Sequence, residues 1–302
     1  MRKPVSRMIS RWLAGPPRPG APYLAGAPLL IAHRGGSALA PENTLTSFTQ
    51  ALEWWRADVL EMDVHATRDG EAVVIHDPTL DRTTSGTGPV SDRSLAEIRE
   101  VDAGHRFTPD RGASYPYRGK GIRVPTLAEV LSAFPNARVN VEIKDGRAQE
   151  VVWRVVHAAG ATQRVLIAAG RRADRARFAR YPGPVSASEE ELRAFYLHHR
   201  LHATALYRPV VDAFQMPERH GGLQVVSPRL VAEAHARNVA VHVWTVDEAD
   251  DMGRLLSWGV DGLVTDRPDR LARVLHERVG RPLPPGPPTG QAPPGVEQLL
   301  LA

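Results

Sequence analysis

The chain has 302 residues, of which 42% are hydrophobic and 24% charged, a composition that supports a buried core and excludes a bulk-disordered or fibrous chain. One α/β barrel of about 250 residues with tails fits this length as well as two domains of about 150. Cysteine is absent, which removes disulfides, thiolate metal sites and cysteine nucleophiles together.

The net charge of +4 is carried by one end. Arg2, Lys3, Arg7, Arg11 and Arg18 stand in residues 1–20 without an acid, leaving 33 basic against 34 acidic residues in the remainder. The body is neutral and shows no basic stripe interleaved with aromatics, so nucleic acid is not an expected partner. No apolar run approaches the roughly 18 residues of a spanning helix, and the start of the chain lacks an apolar signal-peptide centre. A cytoplasmic location without Sec export is expected. Within residues 1–13, Val5, Met8, Ile9, Trp12 and Leu13 recur at helical spacing opposite Arg2, Lys3, Arg7 and Arg11. This is the pattern of an interfacial helix, which would add a peripheral contact with an anionic inner membrane face. A frayed basic tail with accidental periodicity explains the same residues, because so short a helix is marginal in water.

Residues 1–27 read as a basic, Pro/Gly-rich tail, 28–279 as the folded body and 280–302 as a proline-rich tail. In chain order the strand candidates are Leu29–Ala32, Val59–Val64, Ala72–Ile75, Arg138–Ile143, Arg164–Ala168, Pro184–Ala187, Val211–Gln215, Val239–Trp244 and Gly262–Thr265. The link from Val64 to Ala72 holds the turn Arg68-Asp69-Gly70 and is too short for a parallel crossover, so Ala72–Ile75 is expected to return antiparallel. Helices are expected over Thr44–Trp55, with Leu45, Phe48, Leu52 and Trp55 on one face, and over Thr126–Phe134, Ala148–Ala159, Pro228–Arg237, Ala249–Trp258 and Pro268–Val279. Eight parallel strands alternating with helices predict an α/β fold, a (β/α)8 TIM-type barrel. An open doubly wound sheet is the alternative, but no Gly-x-Gly-x-x-Gly follows the first strand. The turn-rich stretch 79–124 is too long for a simple loop and is expected to form a small cap over the barrel mouth.

Chemistry in a barrel gathers where strands end. Strand one ends in His33-Arg34, strand two carries Glu61 and Asp63, the hairpin arm ends in His76-Asp77, the next strand carries Glu142 and Lys144, and a late strand ends in Trp244. Glu61 and Asp63 are two apart and share a face, whereas Leu60, Met62 and Val64 face the helices. Three carboxylates at one rim favour a hard divalent ion, Ca²⁺ or Mg²⁺; neutralisation by Arg34 and Lys144 without metal is the competing reading. His33 and His76 suit acid and base work, and Arg34 and Lys144 suit holding a phosphate. His105, His157, His198, His199, His202, His220 and His276 read as surface or satisfied core. Trp244 fits either a substrate wall or barrel packing. Glu42-Asn43-Thr44 fits either a helix start, with Asn43 or Thr44 as cap, or a substrate contact. Asp77 and Asp266 fit roles orienting their neighbours.

The segments His33-Arg34-Gly35-Gly36, Pro41-Glu42-Asn43-Thr44, Glu61-Met62-Asp63-Val64, Thr67-Arg68-Asp69-Gly70, Val74-Ile75-His76-Asp77, Val141-Glu142-Ile143-Lys144, Val243-Trp244-Thr245-Val246 and Thr265-Asp266-Arg267-Pro268 resemble, in order, the motif set of the glycerophosphodiester phosphodiesterases. The resemblance runs from about Leu29 to Val274. It implies a barrel with a small insertion, a divalent ion on Glu61, Asp63 and Glu142, His33 and His76 as the acid–base pair, Arg34 and Lys144 on the phosphate, and Trp244 beside the glycerol or lipid. Two departures bear on substrate preference: Ala168-Ala169-Gly170 stands where members commonly have a Ser-Phe pair, and Asp247 where they have Asn. Phe214–Glu218 with His242–Thr245 is similar to members related to lysophospholipase D enzymes. The expected activity is metal-dependent hydrolysis of glycerophosphodiesters to glycerol 3-phosphate and an alcohol. Head-group release from a lysophospholipid is the alternative, and a noncatalytic phosphodiester or lipid binder a third reading, disfavoured by the paired histidines.

Overall fold

The structure is a computed structural model that describes residues 22–290; the amphipathic segment 1–13 lies outside the described residues. Its strands are β1 (Leu29–Ala32), β2 (Val59–Ala66), β3 (Ala72–Val74), β4 (Arg138–Ile143), β5 (Val165–Ala168), β6 (Ala213–Pro217), the short hairpin β7 (Arg219–His220) and β8 (Leu223–Gln224), β9 (Ala240–Trp244) and β10 (Gly262–Thr265). Seven run parallel in the order β5-β4-β2-β1-β10-β9-β6, and β3 returns antiparallel on β2 with Val64 opposite Val74.

Val185 and Ser186 close the ring. They bridge in parallel to Ile167 of β5 and Ala213 of β6, through Ser186 N to Ile167 O at 2.9 Å and Ala187 N to Ala213 O at 2.9 Å. The expected strand Pro184–Ala187 is thus reduced to isolated bridges, because Pro184 has no N–H to extend the ladder. β6 begins two residues later than expected, since Asp212 is engaged by Val185, whose amide it accepts at 2.9 Å.

Alternation along the staves sorts side chains into two cores. Leu29, Ile31, Val59, Leu166, Ala213 and Val264 fill the barrel. Leu30, Leu60, Met62 and Val64 pack outward against the helices, the expected division of β2. The helices are α1 (Leu45–Glu53), α2 (Leu95–Arg99), α3 (Leu127–Ala133), α4 (Gln149–Ala158), α5 (Glu189–Arg200), α6 (Pro228–His235), α7 (Ala249–Ser257) and α8 (Pro268–Val279). Thr44, Thr126 and Ser188 open α1, α3 and α5 with reciprocal capping boxes. Leu45 does not join the apolar face of α1 as expected and is exposed, because the first turn is committed to the Thr44–Ser47 box. Helix α5 was not foreseen.

The floor of the barrel is sealed from both ends of the body. Tyr23, inside the expected tail, is buried in the inner core, and Arg138 donates to Tyr23 O at 2.8 Å and Ala25 O at 2.7 Å. Arg281 pairs with Asp58 at 2.6 Å and donates to Pro28 O at 2.7 Å. The insertion 79–124 contains α2 and packs Leu80, Val90, Ile98, Ala103 and Val124 against Val73 and Ile75 of the hairpin arm in a separate apolar cluster.

Candidate active site

Strand β1 delivers His33 to the mouth and the chain then turns sharply through Arg34, Gly35 and Gly36, all at positive φ. A Cβ on Gly35 would lie 2.4 Å from Ser47 Oγ and 2.9 Å from the Phe48 ring, so only glycine fits against α1. The turn aims the Arg34 N–H at Glu61 Oε2, 2.9 Å away.

His33, Arg34, Glu61, His76, Glu142, Lys144 and Trp244 all line one cavity of about 340 Å³ at the carboxyl ends of the strands. Every site residue expected from the sequence is therefore brought together there except Asp63, which is buried immediately behind it. Glu61, Asp63 and Glu142 each offer a carboxylate oxygen within 4.8 Å of the other two. Lys144 Nζ stands 3.0 Å from both Asp63 Oδ1 and Glu142 Oε2, and Arg34 Nε lies 3.4 Å from Asp63 Oδ2. The two cations thus partly neutralise the cluster, the competing reading of the sequence, but none of these three ion pairs reaches Glu61, whose Oε2 lies 4.0 Å from His33 Nε2.

The fit to a hard cation rests on what those pairs leave over. Burial and the neighbouring Asp63 carboxylate push the Glu61 pKa up to about 8, because ionising it would leave more negative charge than Lys144 and Arg34 balance, an imbalance that a bound cation would offset. Asp63 is also penalised by burial, yet Lys144 and Arg34 hold its pKa down. Asp63 Oδ1 is buried without an aligned hydrogen bond, and Asn140, facing Glu61 across β2 and β4, lines the cavity with a buried amide oxygen that has no partner. Oxygen donors of this kind suit Ca²⁺ or Mg²⁺.

Each histidine is anchored through Nδ1. His33 Nδ1 is 2.6 Å from Asp266 Oδ1 and His76 Nδ1 is 2.6 Å from Asp77 Oδ1, which leaves Nε2 of each ring for the cavity. Burial opposes charge on His33, but the Asp266 hydrogen bond and the Glu61 carboxylate outweigh it and raise its pKa to about 9. The orienting reading of Asp77 and Asp266 matches this geometry. Asp247, one of the two family departures, accepts from Asp266 N at 2.8 Å and Thr265 Oγ1 at 2.9 Å, directly behind the His33 pair. The other departure, Ala168-Ala169-Gly170, lines the cavity with small residues.

Of the two readings of Glu42-Asn43-Thr44, the helix start holds. Thr44 alone caps α1. Asn43 instead grips Asp63, donating Nδ2 to Oδ2 at 2.9 Å, while Glu42 accepts from Arg34 Nη1 at 2.9 Å and from both Arg82 Nη atoms at 2.7 Å. Two supporting residues were missed. His65 is buried with Nε2 3.0 Å from His76 O, and its parity with Glu61 and Asp63 was the available signal. Arg82 joins Glu42 to Asp77 across 40 residues of sequence, for which no local pattern exists. Trp244 is 44% exposed and forms cavity wall rather than interior packing. The cavity's lining comes from the strand ends and α5, not from the insertion.

A model of the glycerophosphoryl diester phosphodiesterase family matches residues 33–270. A glycerophosphodiester phosphodiesterase of Caldanaerobacter subterraneus is 34% identical over 261 residues, covering 82% of this chain and 98% of that protein. One from Bacillus subtilis is 30% identical over 266 residues, covering 82% and 86%. Among solved structures, an Oleispira antarctica phosphodiesterase in complex with the product sn-glycerol-3-phosphate superposes with a TM-score of 0.64 at 22% identity, covering 84% of this chain and 98% of that one, a likeness of fold. With the closed barrel and its rim of acids and histidines, these matches establish that the chain belongs to the glycerophosphoryl diester phosphodiesterase family of phosphoric diester hydrolases.

Proposed function

We propose that the protein hydrolyses glycerophosphodiesters to glycerol 3-phosphate and an alcohol, with His33 and His76 as the acid–base pair. The observation that carries this reading is the pair of Asp-anchored imidazoles, His33 on Asp266 and His76 on Asp77, sharing one cavity with Arg34 and Lys144. Arg34 and Lys144 hold the phosphate oxygens. One imidazole takes the proton of the attacking oxygen as it bonds to phosphorus, and the other gives a proton to the departing alcohol as its P–O bond breaks. The attacking oxygen is that of water or of the neighbouring glycerol hydroxyl, the latter through a cyclic phosphate. Glu61, Asp63 and Glu142 would hold a Ca²⁺ or Mg²⁺ ion, which when bound supplies positive charge to the phosphoryl oxygens.

The deciding assay is phosphate-ester release from glycerophosphocholine, glycerophosphoethanolamine and glycerophosphoglycerol with and without EDTA. Turnover that persists in chelator would remove the metal, and failure on all three diesters would remove the substrate class. Head-group release from lysophospholipids is a second reading, supported by an apolar groove that opens beside Trp244. Among the described residues no helix is long and apolar enough to cross a membrane. For residues 1–13 we propose peripheral contact with anionic lipid, tested by co-sedimentation with anionic vesicles at low and high salt against a chain beginning at Ala21.

A further inference from the structure

The groove beside Trp244 has about 270 Å³ and is walled by α5, the end of β6, the β7–β8 hairpin and α6. Its accessible lining is mainly apolar, from Leu192, Tyr196, Leu223, Val225 and Trp244, with Glu189, Arg193 and His220 at its polar part. Leu223, on the hairpin, is exposed and presents its side chain to the groove. The groove is not an isolated dimple. Glu189, Leu192 and Trp244 line both it and the catalytic cavity, so the two are continuous around those side chains.

That division of the mouth is chemically lopsided. One compartment holds Arg34, Lys144 and the two histidines, suited to an anionic phosphodiester, and the adjoining one is mainly apolar. A ligand matching both is an amphiphile, an anionic diester with one apolar chain. The insertion contributes nothing to the groove. It faces a separate cavity formed with Glu42 and including Arg82, Arg106 and Phe107.

Resting on the hydrolytic reading above, we infer that the groove between α5 and the β7–β8 hairpin binds an acyl or alkyl chain carried by the diester, and that this wall, not the insertion, sets the preference for chain-bearing substrates. Burial of each methylene in such a groove raises kcat/KM about fourfold until the chain outgrows it.

The test compares glycerophosphocholine with hexanoyl, octanoyl and decanoyl lysophosphatidylcholine, each below its micelle concentration, for the full chain, Leu223→Asp and the insertion variant Phe107→Ser. Calorimetric binding of decylphosphocholine runs in parallel. The expected result is a rise in kcat/KM with chain length that Leu223→Asp flattens and Phe107→Ser preserves, with glycerophosphocholine turnover unchanged by Leu223→Asp. Decylphosphocholine binding should weaken at least tenfold in Leu223→Asp. If glycerophosphocholine is hydrolysed but the chain series is flat, or if Phe107→Ser alone flattens it, the groove assignment is overturned and the hydrolytic reading stands. If no diester is hydrolysed while decylphosphocholine binding still depends on Leu223, the groove stands and the hydrolytic reading falls.

Discussion

Arg82 holds Asp77 with two bonds, Nε to Oδ2 at 2.7 Å and Nη2 to Oδ1 at 3.1 Å. The guanidinium is the first cause of the depression of the Asp77 carboxyl to about 2, so Asp77 stays ionised against His76 Nδ1. The same guanidinium grips Glu42, which holds Arg34. One insertion residue thereby braces a histidine and an arginine of the cavity.

Arg82→Ala should lower kcat about 10- to 100-fold, the usual range for a supporting partner of a reactive group, with a smaller change in KM. Arg82→Lys should recover only part, since an ammonium cannot span two carboxylates as a planar fork does. Steady-state kinetics on glycerophosphocholine decide this; an unchanged kcat in the alanine variant would show that the brace has no kinetic role.

Glu61→Gln should abolish metal-supported turnover and, in EDTA above pH 8 where the parent carboxyl is ionised, raise the melting temperature. The neutral amide relieves the repulsion and desolvation that push the Glu61 pKa up. Calorimetry in chelator checks the second effect independently of activity, and a lowered melting temperature would contradict the charge imbalance described for the acidic cluster.

Removal of either His33 or His76 should cost about 10² to 10⁴ in rate. Phosphorus NMR during turnover of glycerophosphocholine by the slowed variants distinguishes direct attack by water from passage through a cyclic phosphate. Near-normal turnover in both alanine variants would dismiss the acid–base pair.

His242 fills the barrel beside Gly262, fully buried, with Nε2 unpartnered, and burial lowers its pKa to about 4. An unfolded histidine titrates near 6.5, so the folded form binds the proton less readily. Its stabilising contribution is full above pH 6.5 and is lost as pH falls toward the folded value, by about 2–3 kcal/mol near pH 4.5. Urea unfolding at neutral and acidic pH should show a shallower acid loss in His242→Gln than in the parent; equal slopes would refute it.

The staves were legible because β-branched runs repeat along the chain, and the site because its histidines and acids end those runs or share one strand face. Pairings distant in sequence were not. Helix α5 carries Leu192, Phe195 and Tyr196 at helical spacing, but Glu189-Glu190-Glu191 and His198-His199-Arg200 around them hid that stripe within a charged segment. Strand β2 was read as ending at Val64, two residues before Ala66, which concealed His65. Asn43 and Thr44 were equal candidates for the cap, and only the folded turn shows the Asn43 amide turned back to Asp63.

The floor staple of Arg138, Arg281 and Asp58 fixes a direction. It gathers both flanks of the body at the amino ends of the staves, while the cavity lies at the carboxyl ends. A tether attached at residue 22 therefore begins on the face of the barrel opposite the cavity.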